Sequence, residues 1–181
     1  MSNEIEFHFG LCNDYKLTTH KAGPDGEPVV GSAKEISGWS PNLITNTGLE
    51  NYGVLSGASN NWARGCRVGS GSGTPAITDT NVQAFIATTV TRLGASLSRQ
   101  LASAPYYIEL TQIYRFAVGV AAGNVAEIAL VGSTSDNASA GGAMNAGTAV
   151  STRALVVDGD GSPVVVEVLS DEILDVTVRQ R

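Results

Sequence analysis

The longest stretch in which apolar residues keep the two-residue period of a strand is Tyr106 to Val131, YYIELTQIYRFAVGVAAGNVAEIALV. Tyr106, Ile108, Leu110, Tyr114, Phe116 and Val118 share one face, interrupted only by Gln112. Tyr107, Glu109, Thr111, Ile113, Arg115 and Ala117 share the other, a mixture suited to a sheet surface that meets water or a partner. Gly119 to Asn124 supplies turn residues, with Gly123 and Asn124 suited to positive φ, and the apolar run Val125 to Val131 can pair back antiparallel. The pattern predicts a central hairpin. Its mixed face, with Tyr107, Glu109, Ile113 and Arg115, is the candidate subunit interface, since Tyr107 and Ile113 accompany the two charges.

Before this hairpin, Ile5, Phe7, Phe9 and Leu11 alternate with Glu6, His8 and Gly10, which predicts a half-buried strand. After a turn at Asn13-Asp14, Tyr15, Leu17 and Thr19 predict a second strand, and the Gly and Pro of Lys21 to Pro28 a turn or linker. Residues 1–40 thus read as an N-terminal β arm or edge hairpin, able to finish its own sheet or to add strands to a neighbour, and residues 41–181 as the main domain. Within that domain Asn42 to Thr45 is a short strand, and Asn46-Thr47 can cap a brief helix through Tyr52. Ser56 to Asn61 is turn, Cys66 and Val68 mark a short strand, and Asp79-Thr80 reads as the cap of a helical turn through Phe85. Thr88 to Leu93 is extended, whereas Gly94 to Leu101 fits a helical turn or a strand.

Gly132 to Gly147 has almost nothing to bury and reads as a long surface loop. Thr148 to Asp158, Val164 to Leu169 and Ile173 to Arg179 are strands joined by turns at Asp158 to Pro163 and at Ser170 to Glu172, with Leu174, Val176 and Val178 facing inward. Many short strands, with no helix long enough to cross over a parallel sheet, predict an all-β fold. The expected architecture is an antiparallel, jelly-roll-like β-sandwich carrying one or two short helical turns.

A chain of 181 residues is long enough to bury an unaided core. The net charge of −6, with basic residues scattered, argues against a surface that tracks phosphates, so no nucleic acid is expected. No signal-like start and no apolar run near the ~20 residues of a membrane helix is present, which predicts a protein made in the cytoplasm without a membrane partner.

The motifs that invite chemistry each have a plainer reading. Gly69-Ser-Gly-Ser-Gly73 resembles a phosphate cradle, yet no Gly-Lys-Ser/Thr and no useful helix follow, so it reads as a flexible connection. Asp158-Gly-Asp160-Gly161 starts like a calcium loop but has Pro163 where glycine is needed, and reads as a hairpin turn. His8 and His20 lack metal-ligand spacing, Asp171 and Glu172 fall in a turn, and no nucleophile elbow occurs. No catalytic residue, cofactor or metal is predicted. Cys66, between Arg64 and Arg67, is expected to have a lowered thiol pKa. Cys12 and Cys66 are either two reduced thiols or a disulfide, formed within one chain or between copies under oxidising conditions.

Four blocks carry a family resemblance: NLITNTGLENYG from Asn42, CRVGSGSGTPAITDTNVQAF from Cys66, YRFAVGVAAGNVAEIAL from Tyr114, and the stretch from Thr152 to the C-terminus. In this order they resemble a group of structural proteins of tailed bacteriophages, commonly tail-fibre, collar or other tail-associated virion proteins. The resemblance covers roughly three quarters of the chain and leaves residues 1–40 outside it. It implies a non-enzymatic, multi-copy virion component at the neck or tail that contacts copies of itself and other virion proteins. A head decoration protein and a carbohydrate-binding host-recognition module are the alternatives. The last is disfavoured because Trp39 and Trp62, the only tryptophans, are expected in the core.

Overall fold

The computed structural model describes residues 12–53, 63–104, 106–132 and 149–181, with the backbone alone for 51–53. They form an all-β, antiparallel, sandwich-like fold with one short helix. In the first sheet β1 (Asn13–Lys21) pairs with β13 (Glu172–Gln180), β13 with β8 (Tyr107–Phe116), and β8 with β7 (Arg92–Gln100) at the edge. The short β2 (Lys34–Glu35) and β3 (Ser40–Pro41) pair with the other side of β1. The second sheet runs β4 (Leu43–Ile44), β11 (Val150–Leu155), β10 (Glu127–Val131), β5 (Gly65–Gly69) and β6 (Phe85–Thr89). A small ribbon joins β9 (Gly123–Val125) to β12 (Val166–Val168).

Alternation places the core. Tyr15, Leu17, Tyr114, Phe116, Leu174, Val176 and Val178 of the first sheet pack on Cys66, Val68, Ile128, Leu130, Ala154 and Val156 from the second layer. Each larger aliphatic side chain in this layer contributes about 1.5–3 kcal/mol by leaving water. Two tyrosines carry hydroxyls into it and satisfy them there: Tyr15 meets the Thr152 hydroxyl, and Tyr114 donates to the Ala63 carbonyl. Thr152 Oγ1 also accepts the Leu130 N–H at 3.1 Å, so the Tyr15 contact links the two sheets.

Several expectations are corrected by the pairing. Tyr106 to Val131 is not one hairpin: β8 takes β7 and β13 as neighbours, while β10 lies in the other sheet between β5 and β11. The reason is burial. Every residue of β10 is buried, as suits a strand covered on both faces, whereas β8 has a half-exposed polar face. The chain changes sheets through a turn in which Gly119 takes φ 71°, open to glycine. Asn13 and Asp14 are not a turn but the start of β1, paired to Gln180 and Arg179, and Cys12 and Arg181 exchange backbone hydrogen bonds beyond them. Asp79 caps no helical turn. It closes a turn on Ala76, and Phe85 begins β6. Residues 92–100 are strand. The strand expected at Ile5 to Leu11, His8, the turn at Ser56 to Asn61, Trp62 and residues 133–147 of the expected loop lie outside the described residues.

Helix α1 (Asn46–Gly53) is capped one residue earlier than expected. The buried Thr45 hydroxyl accepts the Gly48 N–H at 3.1 Å and donates to the Val150 carbonyl at 2.6 Å, fastening the cap to β11. Gly48 lets the helix approach closely, because a Cβ there would sit inside the van der Waals shell of the Ser151 carbonyl.

Candidate functional site

The outer side of the second sheet holds a buried charge network that strand alternation alone does not assign. Glu127 and Arg153 are the single charged residues of β10 and β11, both fully buried, and Arg153 lies across from Ala129, diagonal to Glu127. Arg153 Nε donates to Glu127 Oε2 at 2.8 Å. The rest of the carboxylate is taken by backbone: Gly71 and Ala84 donate to Oε1 at 2.8 and 2.9 Å, and Gln83 to Oε2 at 3.1 Å. Arg153 also reaches Asp79 at 2.8 Å and the Gly73 carbonyl at 2.9 Å. Burial tends to raise the Asp79 carboxyl, but the Ala76 N–H and the Arg153 guanidinium outweigh it and hold it below its ordinary value.

The glycine-rich connection is therefore neither a phosphate cradle nor flexible. Its Gly71 amide is turned onto an internal carboxylate and its Gly73 amide onto the Gln83 side chain, and a Cβ at Gly69 or Gly71 would come within 2.6 or 2.5 Å of Glu127 Oε1. Spacing at alternate positions is what lets one side of the loop lie on that group. Arg67, also buried, donates to Thr88 at 3.0 Å and Asn81 at 2.5 Å and lies 5.5 Å from the Phe85 ring centre. The arrangement fixes the loop from Gly69 to Ala84 against the sheet. Its chemistry is structural.

The four residues expected at an interface fall together on the outer face of the first sheet, where the chain already partners its charges. Arg115 binds Asp175 in a two-point contact of 2.8 and 2.7 Å, with His20 Nε2 at 3.0 Å from the same carboxylate and Glu27 at 3.8 Å from the guanidinium. Glu109 accepts Arg181 at 2.5 Å and lies 3.7 Å from Arg179, which binds Asp14 at 2.7 Å. Tyr107 lies under Arg181, its ring centre 5.2 Å from the guanidinium, and Ile113 is half-buried. Trp39 is not a core residue. It is 36% exposed, with the Arg179 guanidinium 4.1 Å from its ring centre and Lys16 at 5.6 Å.

The opposite face of β8 holds what sequence periodicity assigned wholly to the core. Gln112, Tyr114 and Phe116 are buried there, but Ile108 is 54% and Tyr106 67% exposed. The ladder of β13 on β8 stops at Gln180 and Leu110, whereas β7 and β8 run on together to Gln100 and Tyr107. A two-stranded ribbon thus continues past the sandwich, its apolar side toward solvent. Alternation gave the facing correctly; only the sheet ends reveal that nothing in the described fold lies opposite.

Cys66 is completely buried in the core and Cys12 is exposed; both are free. Burial pushes the Cys66 thiol well above its ordinary range and outweighs the lowering by Arg67, the reverse of what the flanking arginines suggest. The suggested Cys12–Cys66 bridge would require the core to open around Cys66. One thiol per chain is expected to react with an aromatic disulfide reagent in native conditions and two in denaturant; two fast equivalents in the native protein would contradict this burial.

Among the described residues no group of His, Cys, Asp and Glu is placed to hold a metal ion. An open groove of about 670 Å³ is lined by Glu35, Asp158, Glu167 and Glu172. Most of this acidity is engaged: Glu35 pairs with Lys16 at 2.6 Å, Asp158 accepts the Asp160 and Ser162 N–H groups of its turn, and Glu172 accepts that of Leu169. No protein-family model matches the chain, and no curated protein or solved structure does either.

Proposed function

We propose that the chain is a non-enzymatic structural component of a tailed-bacteriophage virion, a multi-copy neck or collar protein or a tail-fibre-associated assembly protein. The observation that carries this reading is the β7–β8 ribbon, an edge hairpin that extends beyond the sandwich with Leu97, Ile108 and Tyr106 more than half exposed. A two-stranded ribbon with one wet apolar face is marginal in isolation, and long apolar edges are places where chains join. The order of the phage-like blocks supports the same reading. Packed loops and paired surface charges suit a rigid wedge repeated around a symmetric particle.

Gold-labelled antibody raised against the recombinant chain is expected to mark the neck or tail of purified particles of the phage that encodes it. Label spread over the head would replace this reading with a decoration role. Particles that lack both label and peptides of the chain by mass spectrometry would overturn a virion role.

A further inference from the structure

The inner face of the ribbon has features that specify what should cover it. A row of cross-strand neighbours runs Asn13, Gln180, Leu110, Leu97 over the end of the first sheet. Asn13 is 1% and Gln180 7% exposed, yet both polar atoms of the Asn13 side chain and the Gln180 amide nitrogen have no hydrogen-bond partner. Beyond this row Arg99 faces Ile108, and the next positions of the same facing are Leu101 and Tyr106, 62% and 67% exposed. The open part of the face, from Leu97 and Ile108 to Leu101 and Tyr106, therefore calls for an occupant with an apolar side.

Residues 4–11 of this chain have that chemistry: Ile5, Phe7, Phe9 and Leu11 alternate with Glu6, His8 and Gly10 behind Glu4. The described chain starts beside the same row, at Cys12, hydrogen-bonded to Arg181. Eleven extended residues reach roughly 36 Å, ample to cross the ribbon. A segment that continued β1 within its own chain would not cover it. Asn13, Tyr15, Leu17 and Thr19 are the inward positions of β1, so a segment continuing β1 would point its odd-numbered residues the same way as the ribbon's apolar side. It would enlarge that face and leave it open.

We propose that the inner face of the β7–β8 ribbon is a docking face for residues 5–11 of a second copy of this chain. The neighbour's phenylalanines cover Leu97 and Ile108. This names the partner for the assembly reading and rests on it, but the two fail separately: absence from virions would leave the pairing of copies untouched, and a monomeric chain could still be found in a particle.

The test uses the full chain in sedimentation velocity over a dilution series. Phe7→Glu with Phe9→Glu, and separately Leu97→Glu with Ile108→Glu, should each weaken self-association tenfold or more while circular dichroism stays that of the parent. In a Cys12→Ser background, chains bearing Phe7→Cys mixed with chains bearing Ile108→Cys should form a disulfide between the two kinds of chain. Three results would overturn the proposal: a parent chain that stays monomeric, a disulfide that forms only when both substitutions share one chain, or association lost by charging the ribbon but unchanged by charging Phe7 and Phe9.

Discussion

Glu127→Gln is expected to lower the thermal unfolding midpoint by roughly 6–20 °C, the equivalent of about 3–5 kcal/mol in a chain of this size. The carboxylate accepts four donors, the backbone N–H groups of Gly71, Gln83 and Ala84 and the Arg153 Nε–H, and both oxygens are shared between them. A glutamine keeps the shape but puts an NH₂ group against donors on one side, leaving at least one buried N–H without an acceptor. It also removes one of the two carboxylate charges 2.8 Å from the buried Arg153 guanidinium, which then relies on Asp79 alone for an anion. Because the two groups act on one another, Arg153→Met should cost much less in the Glu127→Gln background than in the parent. Calorimetry on the four proteins of this cycle is the measurement. A fall under 2 °C for Glu127→Gln, or additive effects, would mean that the network does not hold the loop.

Gly48→Ala should destabilise the fold by about 2–3 kcal/mol, roughly 4–12 °C in melting temperature, although alanine is the better helix former by about 1 kcal/mol. The sign turns on one approach. Gly48 sits in the first turn of α1 directly against the Ser151 backbone, and an added Cβ would meet the carbonyl oxygen and crowd Ile44. To make room the helix must lift from β11, which breaks the Thr45 cap that donates to Val150 and accepts from Gly48 itself. Urea unfolding of the purified variant checks it, and a gain in stability would show that the helix rides free of the sheet.

The antiparallel all-β character was legible in the sequence because strand facing depends only on alternation. Leu174, Val176 and Val178 face inward as their spacing requires, and the turn at Asp158 closes on Ser162. Glycine, proline and aspartate placed most turns for local reasons, since they set the backbone angles or supply the turn acceptor. The charges of the second sheet were also visible as residues out of place: a single Glu in AEIALV and a single Arg in TRALVV are costly to bury alone, which is itself a signal that they meet.

What pairs with what was decided only by the tertiary structure. A strand's pattern states which residues turn inward but not which neighbour supplies the other half of the ladder, so β8 and β10 read as a hairpin and lie in different sheets. A glycine-serine run looks alike whether it is free or lies against a buried carboxylate more than 50 residues away in sequence, because its amides carry no side-chain signature. The thiol environment of Cys66 likewise follows from its depth in the core, which outweighs the charges beside it in sequence. The exposed side of the ribbon has the same origin: periodicity sets a facing for Ile108 and Leu97, but whether anything lies opposite depends on where distant strands stop, and β13 stops at Leu110.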